Sequence, residues 1–379
     1  MNKERKYMEQ QIITYMGNKR KLLPKIQLLL NHVKDKMDKD KLIIGDGFSG
    51  SGIVSRLFLT NADELYTNDI AGYSYTLNNC FLKKPDENNI KKLEKHICHI
   101  NKACLLKKNE DPFIEKHWAP NNDNNIKLNE RTYFTNDNAK RIDIIRNYIE
   151  QEVEKDLKSY LLASLLVESS IHNNTNGQFS AFYKNKDNIG QYGGEKNIDT
   201  NRITQSITLK MPIWCDIPNV TKQVFISQQD TNKWITELPI VDVMYYDPPY
   251  NKHPYNIYYF LLDIINDWNK KIVIPDTYRG QPKTWIQSSY NSVKKAKDAL
   301  EDLLNNTRAR YIILSYFDKG IIPLDEFDVI CAKHGLVYKI PVEHKTYNRL
   351  KSIANYKRLG KYENVNEYMW LIEMKLYAN

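Results

Sequence analysis

No stretch of this chain approaches the ~20 consecutive apolar residues that a membrane span needs. The polar start, MNKERKYMEQQ, lacks the apolar segment of a secretory signal. Cysteine is sparse: Cys80, Cys98, Cys104, Cys215 and Cys331 are odd in number and without paired spacing, which argues against a disulfide framework and for free thiols in a reducing compartment. A cytoplasmic protein with no membrane contact is expected. His96, Cys98, His99 and Cys104 crowd together, but no CxxC pair exists to complete a zinc site, so no metal is expected. The dinucleotide spacing GxGxxG is missing as well. Hydrophobic residues at 41% and charged ones at 27% are ordinary for globular material. Lys and Arg number 55 against 46 Asp and Glu, a net +9 that favours a polyanionic partner. At 379 residues, a main domain with a large insertion or a second domain is the prior.

The most informative stretch is Val241 to Tyr250, VDVMYYDPPY. Its apolar residues read as a buried strand of a parallel sheet. Two prolines, unable to join a ladder, then turn the backbone out as a stiff loop. Open α/β sheets bind their ligands outside such carboxyl ends. Asp247, Pro248, Pro249 and Tyr250 there offer a carboxylate, a proline carbonyl and an aromatic face, a set suited to a planar amine.

Earlier in the chain, Leu42 to Ile44 form a short strand that runs into Gly45-Asp46-Gly47-Phe48-Ser49-Gly50-Ser51-Gly52, and Ile53, Val54, Leu57 and Phe58 open a helix. Strand, glycine turn and helix make the first unit of a nucleotide-type α/β fold. The next strand, Glu64 to Asn68, ends in Asp69, about twenty residues past the glycine turn, where such folds place an acid that takes ribose hydroxyls; a helix cap is the alternative. Tyr15-Met16-Gly17-Asn18-Lys19 precedes an amphipathic helix through Leu22, Ile26, Leu29, Leu30 and Val33.

From Asn78 to about Val220 the pattern changes. Helical periodicity comes only in pieces between Lys83 and Asn129, and a helix is expected through Val153, Leu157, Leu161, Leu165 and Val167. Ile171 to Gly177 reads as an exposed loop. Gln178 to Arg202 interleaves Phe179, Phe182, Tyr183 and Tyr192 with Lys184, Lys186, Lys196 and Arg202, as a plain polar loop or as a surface for phosphates and base edges. After 221 come strands at Gln223 to Ser227, followed by Asp230, and at Tyr311 to Tyr316. Helices are expected through Ile257 to Trp268 and Val293 to Leu303. The strands Val337 to Val342 and Tyr368 to Met374 read as an antiparallel edge pair. Between them His344, Lys345, Arg349, Lys351, Lys357, Arg358 and Lys361 form the densest basic segment.

Taken together, YMGNK, DGFSGSG, the Asn68-Asp69 pair and DPPY, in that order, resemble the Dam-type DNA adenine-N6 methyltransferases of the alpha group. The resemblance covers most of the chain. It implies an α/β fold, a Rossmann-like S-adenosylmethionine-dependent methyltransferase sheet with an inserted, mainly helical target-recognition region. The catalytic domain would comprise 1–77 and 221–379, and the insert 78–220. S-adenosyl-L-methionine is the implied methyl donor. Tyr15, Met16, Gly17 and Lys19 would border its methionine end. Asp46, Phe48, Ser49, Gly50 and Gly52 would form the cofactor loop, Asp69 would take the ribose hydroxyls, and Asp230 the adenine. Asp247, Pro248, Pro249 and Tyr250 would serve a flipped adenine of double-stranded DNA. A monomer is expected, with a cognate restriction endonuclease acting separately. An N4-cytosine methyltransferase or a non-catalytic DNA-binding module on the same fold are the alternatives; the absence of a Pro-Cys nucleophile fits direct transfer.

Overall fold

The computed structural model describes residues 7–8, 10–106, 108–216, 220–221, 223–283, 287–345 and 364–375. Seven strands form one sheet: β1 (Leu42–Asp46), β2 (Ala62–Asn68), β3 (Gln223–Ser227), β4 (Val241–Tyr246), β5 (Ala309–Phe317), β6 (Gly335–Lys345) and β7 (Asn364–Met374). Their order is β3-β2-β1-β4-β5-β7-β6. The first five are parallel, with Ile44 opposite Leu65 on one side and Val243 on the other. β7 runs antiparallel to both β5 and β6. All six residues of β4 are buried, as expected of a strand with neighbours on both edges and helices on both faces. The strand order reverses between β1 and β4, the switch point at which this class of sheet opens a crevice.

Twelve α-helices accompany the sheet among the described residues: α1 (Leu23–Met37), α2 (Ile53–Asn61), α3 (Gly72–Leu82), α4 (Glu87–Leu106), α5 (Ile114–Trp118), α6 (Asn136–Glu152), α7 (Lys158–Ile171), α8 (Thr200–Thr204), α9 (Thr231–Trp234), α10 (Asn256–Asp267), α11 (Ala296–Asn306) and α12 (Leu324–His334). Local chemistry sets several boundaries. Pro24 stands in the first turn of α1, where its missing N–H costs nothing, and Asp38 ends that helix in the left-handed region. The Thr135 hydroxyl caps α6 by accepting the Asn138 N–H at 3.1 Å.

Several expectations change, among them the helix expected from Val293, which starts at Ala296 and leaves Val293 exposed. The helix expected from Val153 starts later, as α7 at Lys158, and Val153 to Leu157 form the break that separates it from α6, which ends at Glu152. Val153 and Leu157 both enter the core across that break, so an i, i+4 apolar pair imitates helical spacing through a turn. The pieces after Lys83 include one continuous 20-residue helix, α4, whose buried face is narrow: Leu93, Ile100, Ala103 and Cys104. β7 is not at the edge of the sheet; only β6 is, on that side. Position 78 lies inside α3, so the division at 77/78 is no structural break. The inserted helices share one core with α3 and α10: Leu77, Cys80 and Phe81 cluster with Ile142, Ile145, Leu165, Phe260, Leu261 and Ile265.

The loop Ile171 to Gly177, expected in solvent, is also interior. His172, Asn173, Asn174 and Thr175 are buried. The Asn174 side chain donates to the Thr132 carbonyl at 2.9 Å and accepts the Gly193 N–H at 3.0 Å. Hydrogen bonds to backbone groups make such burial tolerable. Phe179, Phe182 and Tyr183 are buried as well, and the Arg202 guanidinium donates to the carbonyls of Ile171, Asn173 and Thr175. This segment therefore stitches the insert together. The basic run from Arg349 to Lys361 lies outside the described residues.

Candidate active site

A cavity of about 430 Å³ opens at the carboxyl ends of the central strands, within the range of small-molecule sites. Of the residues expected at a site, Tyr15, Phe48, Asp69, Asp230, Asp247 and Pro249 line it. Its wall also carries Tyr73, Tyr255, Asp263, Asp267 and Tyr290. Among the described residues the wall has five acidic side chains, Asp69, Asp230, Asp247, Asp263 and Asp267, and no lysine, arginine or histidine. Such a lining favours a cationic occupant.

The glycine turn shapes one side. Gly50 and Gly52 have φ of +51° and +75°, the region that L side chains rarely adopt. A Cβ on Gly50 would stand 2.9 Å from the Tyr15 ring. The Gly50 N–H donates to Asp69 Oδ2 at 2.7 Å, and the Ala71 N–H to Oδ1 at 2.9 Å. Asp69 thus precedes α3, accepting the N–H of its N-cap residue Ala71, and faces the cavity; burial raises its pKa despite these amides. The Ser49 N–H donates to the Asn68 carbonyl at 3.0 Å, and its Oγ accepts from Asn78 at 3.0 Å, fastening the turn to β2 and α3. Phe48 packs edge-on against Tyr290 at 5.3 Å. Asp230 caps α9, accepting the Asn232 N–H at 3.0 Å. Asp46 sits behind the wall, fully buried, with Oδ2 accepting from the Ser55 hydroxyl at 2.6 Å. Burial pushes its carboxyl up to about 7.

Opposite, the chain from Tyr15 to Lys19 docks on α10. Tyr15 packs against both Tyr255 and Tyr259, at 5.4 and 5.0 Å, and those two rings also touch each other at 6.2 Å, while the Met16 N–H donates to the Tyr259 hydroxyl at 2.6 Å. Gly17 has φ +73°, and a Cβ there would come to 3.3 Å from the hydroxyls of both Tyr250 and Tyr255. The Asn18 side chain accepts the Arg20 N–H at 2.8 Å and caps the 3-10 turn Lys19–Leu22. That turn carries Lys19 away from the cavity wall. Its ammonium, only 4% exposed, lies 3.0 Å from Asp247 Oδ1 and 2.5 Å from Glu367 Oε1.

At the Pro-Pro corner Asp247 faces the cavity with 18% of its side chain exposed. Burial, more than any other cause, raises its carboxyl to about 6; Lys19 opposes the rise and Glu367 adds to it. Pro248 is buried and Pro249 lines the cavity. Tyr250 stands beside the cavity, its ring stacked on Phe317 at 5.2 Å and edge-on to Tyr316. Its carbonyl accepts the Ile321 N–H at 3.1 Å, which ties the corner to the segment after β5.

This arrangement of motifs agrees with sequence comparison. The family model of the D12 class N6 adenine-specific DNA methyltransferases matches residues 15–315. The chain belongs to this family. Membership sets aside the N4-cytosine reading, and the chain is an adenine-specific DNA methyltransferase by family. It is 27% identical to the type II methyltransferase M.NlaIII of Neisseria lactamica over 370 residues, covering 95% of this chain and 99% of that protein. It is 25% identical to the type II methyltransferase M.CviAII of Paramecium bursaria Chlorella virus 1, covering 95% and 98%. Against the type II methyltransferase M.FokI of Planomicrobium okeanokoites the identity is 28%, over 95% of this chain and 52% of that protein. No helix among the described residues is long and apolar enough to cross a membrane.

Beyond the family motifs, the structure adds residues that sequence reading passed over. Asp263 is a lone acid in the apolar run of α10, and that isolation was a usable signal. Its carboxyl, raised well above the usual range by burial and by Asp267 and Asp69, receives the Tyr73 N–H. Glu367 carried no signal, because its proximity to Lys19 depends on the antiparallel placement of β7.

Proposed function

We propose that the chain transfers the methyl group of S-adenosyl-L-methionine to the N6 amine of an adenine flipped out of duplex DNA. The observation that carries this reading is the Asp247 carboxylate on a proline-stiffened corner, turned to a cavity whose wall is acidic. The residues present fit the cofactor: a sulfonium and an ammonium suit an acidic lining, and the turn at Gly50 leaves a cradle that a Cβ would fill. Asp69 would take the ribose hydroxyls and Asp230 the adenine, with Phe48, Gly50 and Gly52 forming the loop around them and Asp46 and Ser49 bracing it. Tyr15, Met16 and Gly17 would border the methionine end. When bound, the cofactor supplies an electrophilic methyl group.

An exocyclic purine amine is a poor nucleophile because its lone pair is delocalised into the ring. Asp247 and the Pro248 carbonyl, each accepting one N–H, draw the nitrogen toward tetrahedral geometry and stabilise the charge that develops on it. Pro249 stiffens the corner, which supplies rate through positioning. Tyr250, backed by Phe317, stacks on the extruded base. The insert between α3 and β3 serves target recognition, the protein acts as a cytoplasmic monomer, and a cognate restriction endonuclease acts separately, a pairing suggested by the type II relatives.

Incubating the purified chain with tritiated S-adenosylmethionine and duplex DNA tests the proposal. Label recovered as N6-methyladenine is expected, and none with Asp247→Ala, whose cofactor affinity stays within a few-fold. DNA binding without label transfer would support the non-catalytic module instead.

A further inference from the structure

Lys19 is held by two carboxylates from distant parts of the chain. Glu367, on β7, is the nearer at 2.5 Å, and Asp247 lies at 3.0 Å. All three side chains are largely withdrawn from water, at 4%, 13% and 18% exposure. Glu367 is itself fixed, since its Oε1 accepts from the Ser315 hydroxyl at 3.0 Å on the neighbouring strand. The Lys19 ammonium also lies 5.7 Å from the centre of the Tyr250 ring. One cation thus links the corner's acid, the expected base-stacking ring and the β5–β7 ladder.

We propose that Glu367 is a positioning residue for methyl transfer: it anchors Lys19 so that the lysine supports Asp247 without taking over the carboxylate that must accept the target amine. This rests on the assignment of Asp247 as that acceptor. The physics follows from three charges in a poorly solvated place. A buried ammonium needs a counterion. With Asp247 alone, the cation would settle on its oxygens, compete with the amine for them and weaken their pull on its N–H groups. With Glu367 in place the triad carries one net negative charge, and Asp247 remains a strong acceptor as positive charge develops on the nitrogen. Lys19 on the 3-10 turn, Glu367 on β7, Asp46 on β1, Tyr245 on β4 and Tyr250 and Tyr255 beyond it are the charged and titratable groups that bear on Asp247. Among them Glu367 opposes Lys19, so removing it lowers the proton affinity of Asp247.

Glu367→Gln in the full-length protein tests this. Single-turnover methylation of duplex DNA across pH should show turnover reduced about tenfold to a hundredfold. The midpoint of the acid limb should move down by about one pH unit, while calorimetric affinity for S-adenosylmethionine stays within twofold. Independently of activity, the Asp247 signal in protein labelled with 13C at aspartate Cγ, assigned by its loss in Asp247→Asn, should titrate at correspondingly lower pH. An unmoved titration midpoint, or a loss of turnover matched by a loss of cofactor affinity, would overturn the proposal. Should Glu367→Gln fail to fold, Glu367→Asp carries the same test: the shorter side chain draws its carboxylate back from Lys19, so a smaller downward shift is expected, and no shift overturns it. Asp247→Asn at wild-type turnover would instead sink the assignment of Asp247. An inactive Asp247→Asn beside an unshifted Glu367→Gln sinks only the role of Glu367.

Discussion

Replacing Asp247 by asparagine should make the protein a poorer enzyme and, in alkaline solution, a more stable one. The carboxyl sits at about 6 in the folded chain against an ordinary value of 3.8, chiefly because burial disfavours its charge. A folded value above the unfolded one means that the native state holds the proton more tightly. The associated stability is fully present below about pH 4 and is lost as pH rises through about 6. Two pH units at about 1.4 kcal/mol each make the ionised side chain a burden of roughly 3 kcal/mol at pH 8. Asparagine, always neutral, escapes it. Lys19 then loses one partner but keeps Glu367, which takes back part of the gain, so a net stabilisation of about 1–2 kcal/mol is expected at pH 8. At pH 4 the gain should vanish. Asp46 and Asp143, raised by burial to about 7 and about 6, are common to both proteins and cancel in the comparison. Urea unfolding of both proteins at pH 4, 6 and 8 measures the difference, and single-turnover methylation should show a loss of about a hundredfold or more. A variant destabilised equally at all three pH values would refute the reasoning, because the wild-type carboxylate would then be a net support.

Other perturbations probe the rest of the site. Gly50→Ala forces a side chain at φ +51° to within 2.9 Å of the Tyr15 ring, and isothermal titration should show cofactor affinity reduced about tenfold or more. Tyr250→Ala should weaken capture of the target base by about 1–3 kcal/mol, seen as a raised KM for DNA, whereas Tyr250→Phe should change it little. Arg131→Ala removes a guanidinium that donates to the carbonyls of His117, Pro275 and Thr277, each at 3.0 Å. A loss of about 2–3 kcal/mol in urea unfolding is expected, with cofactor affinity unchanged.

Much of the site could be read from local pattern. A strand ended by two prolines, a strand that runs into closely spaced glycines, and an acid at the next strand end each announce themselves through backbone restrictions felt within a few residues. Asp247, Asp69, Phe48 and Tyr15 accordingly meet around one cavity. The insert was less legible for a physical reason. Asn173 and Asn174 look like surface residues, yet their amides satisfy buried backbone groups, and a sequence does not reveal whether an amide bonds water or a carbonyl. Arg202, which reads as a phosphate ligand, is occupied by three carbonyls of its own chain for the same reason.

The residues by themselves determined the parallel sheet, the glycine turn and the rigid acidic corner, since periodicity and proline geometry act over short distances. Only the tertiary structure decided what surrounds that corner. β7 enters the sheet between β5 and β6 and runs against β5. Its beginning therefore lies at the carboxyl ends of the parallel strands, where Glu367 stands opposite Phe317 and reaches Lys19. A parallel strand in that slot would have put its first residues at the far end of the sheet. That β7 takes this slot, against β5 rather than at the edge, is settled by the whole packed sheet and not by the residues near Glu367.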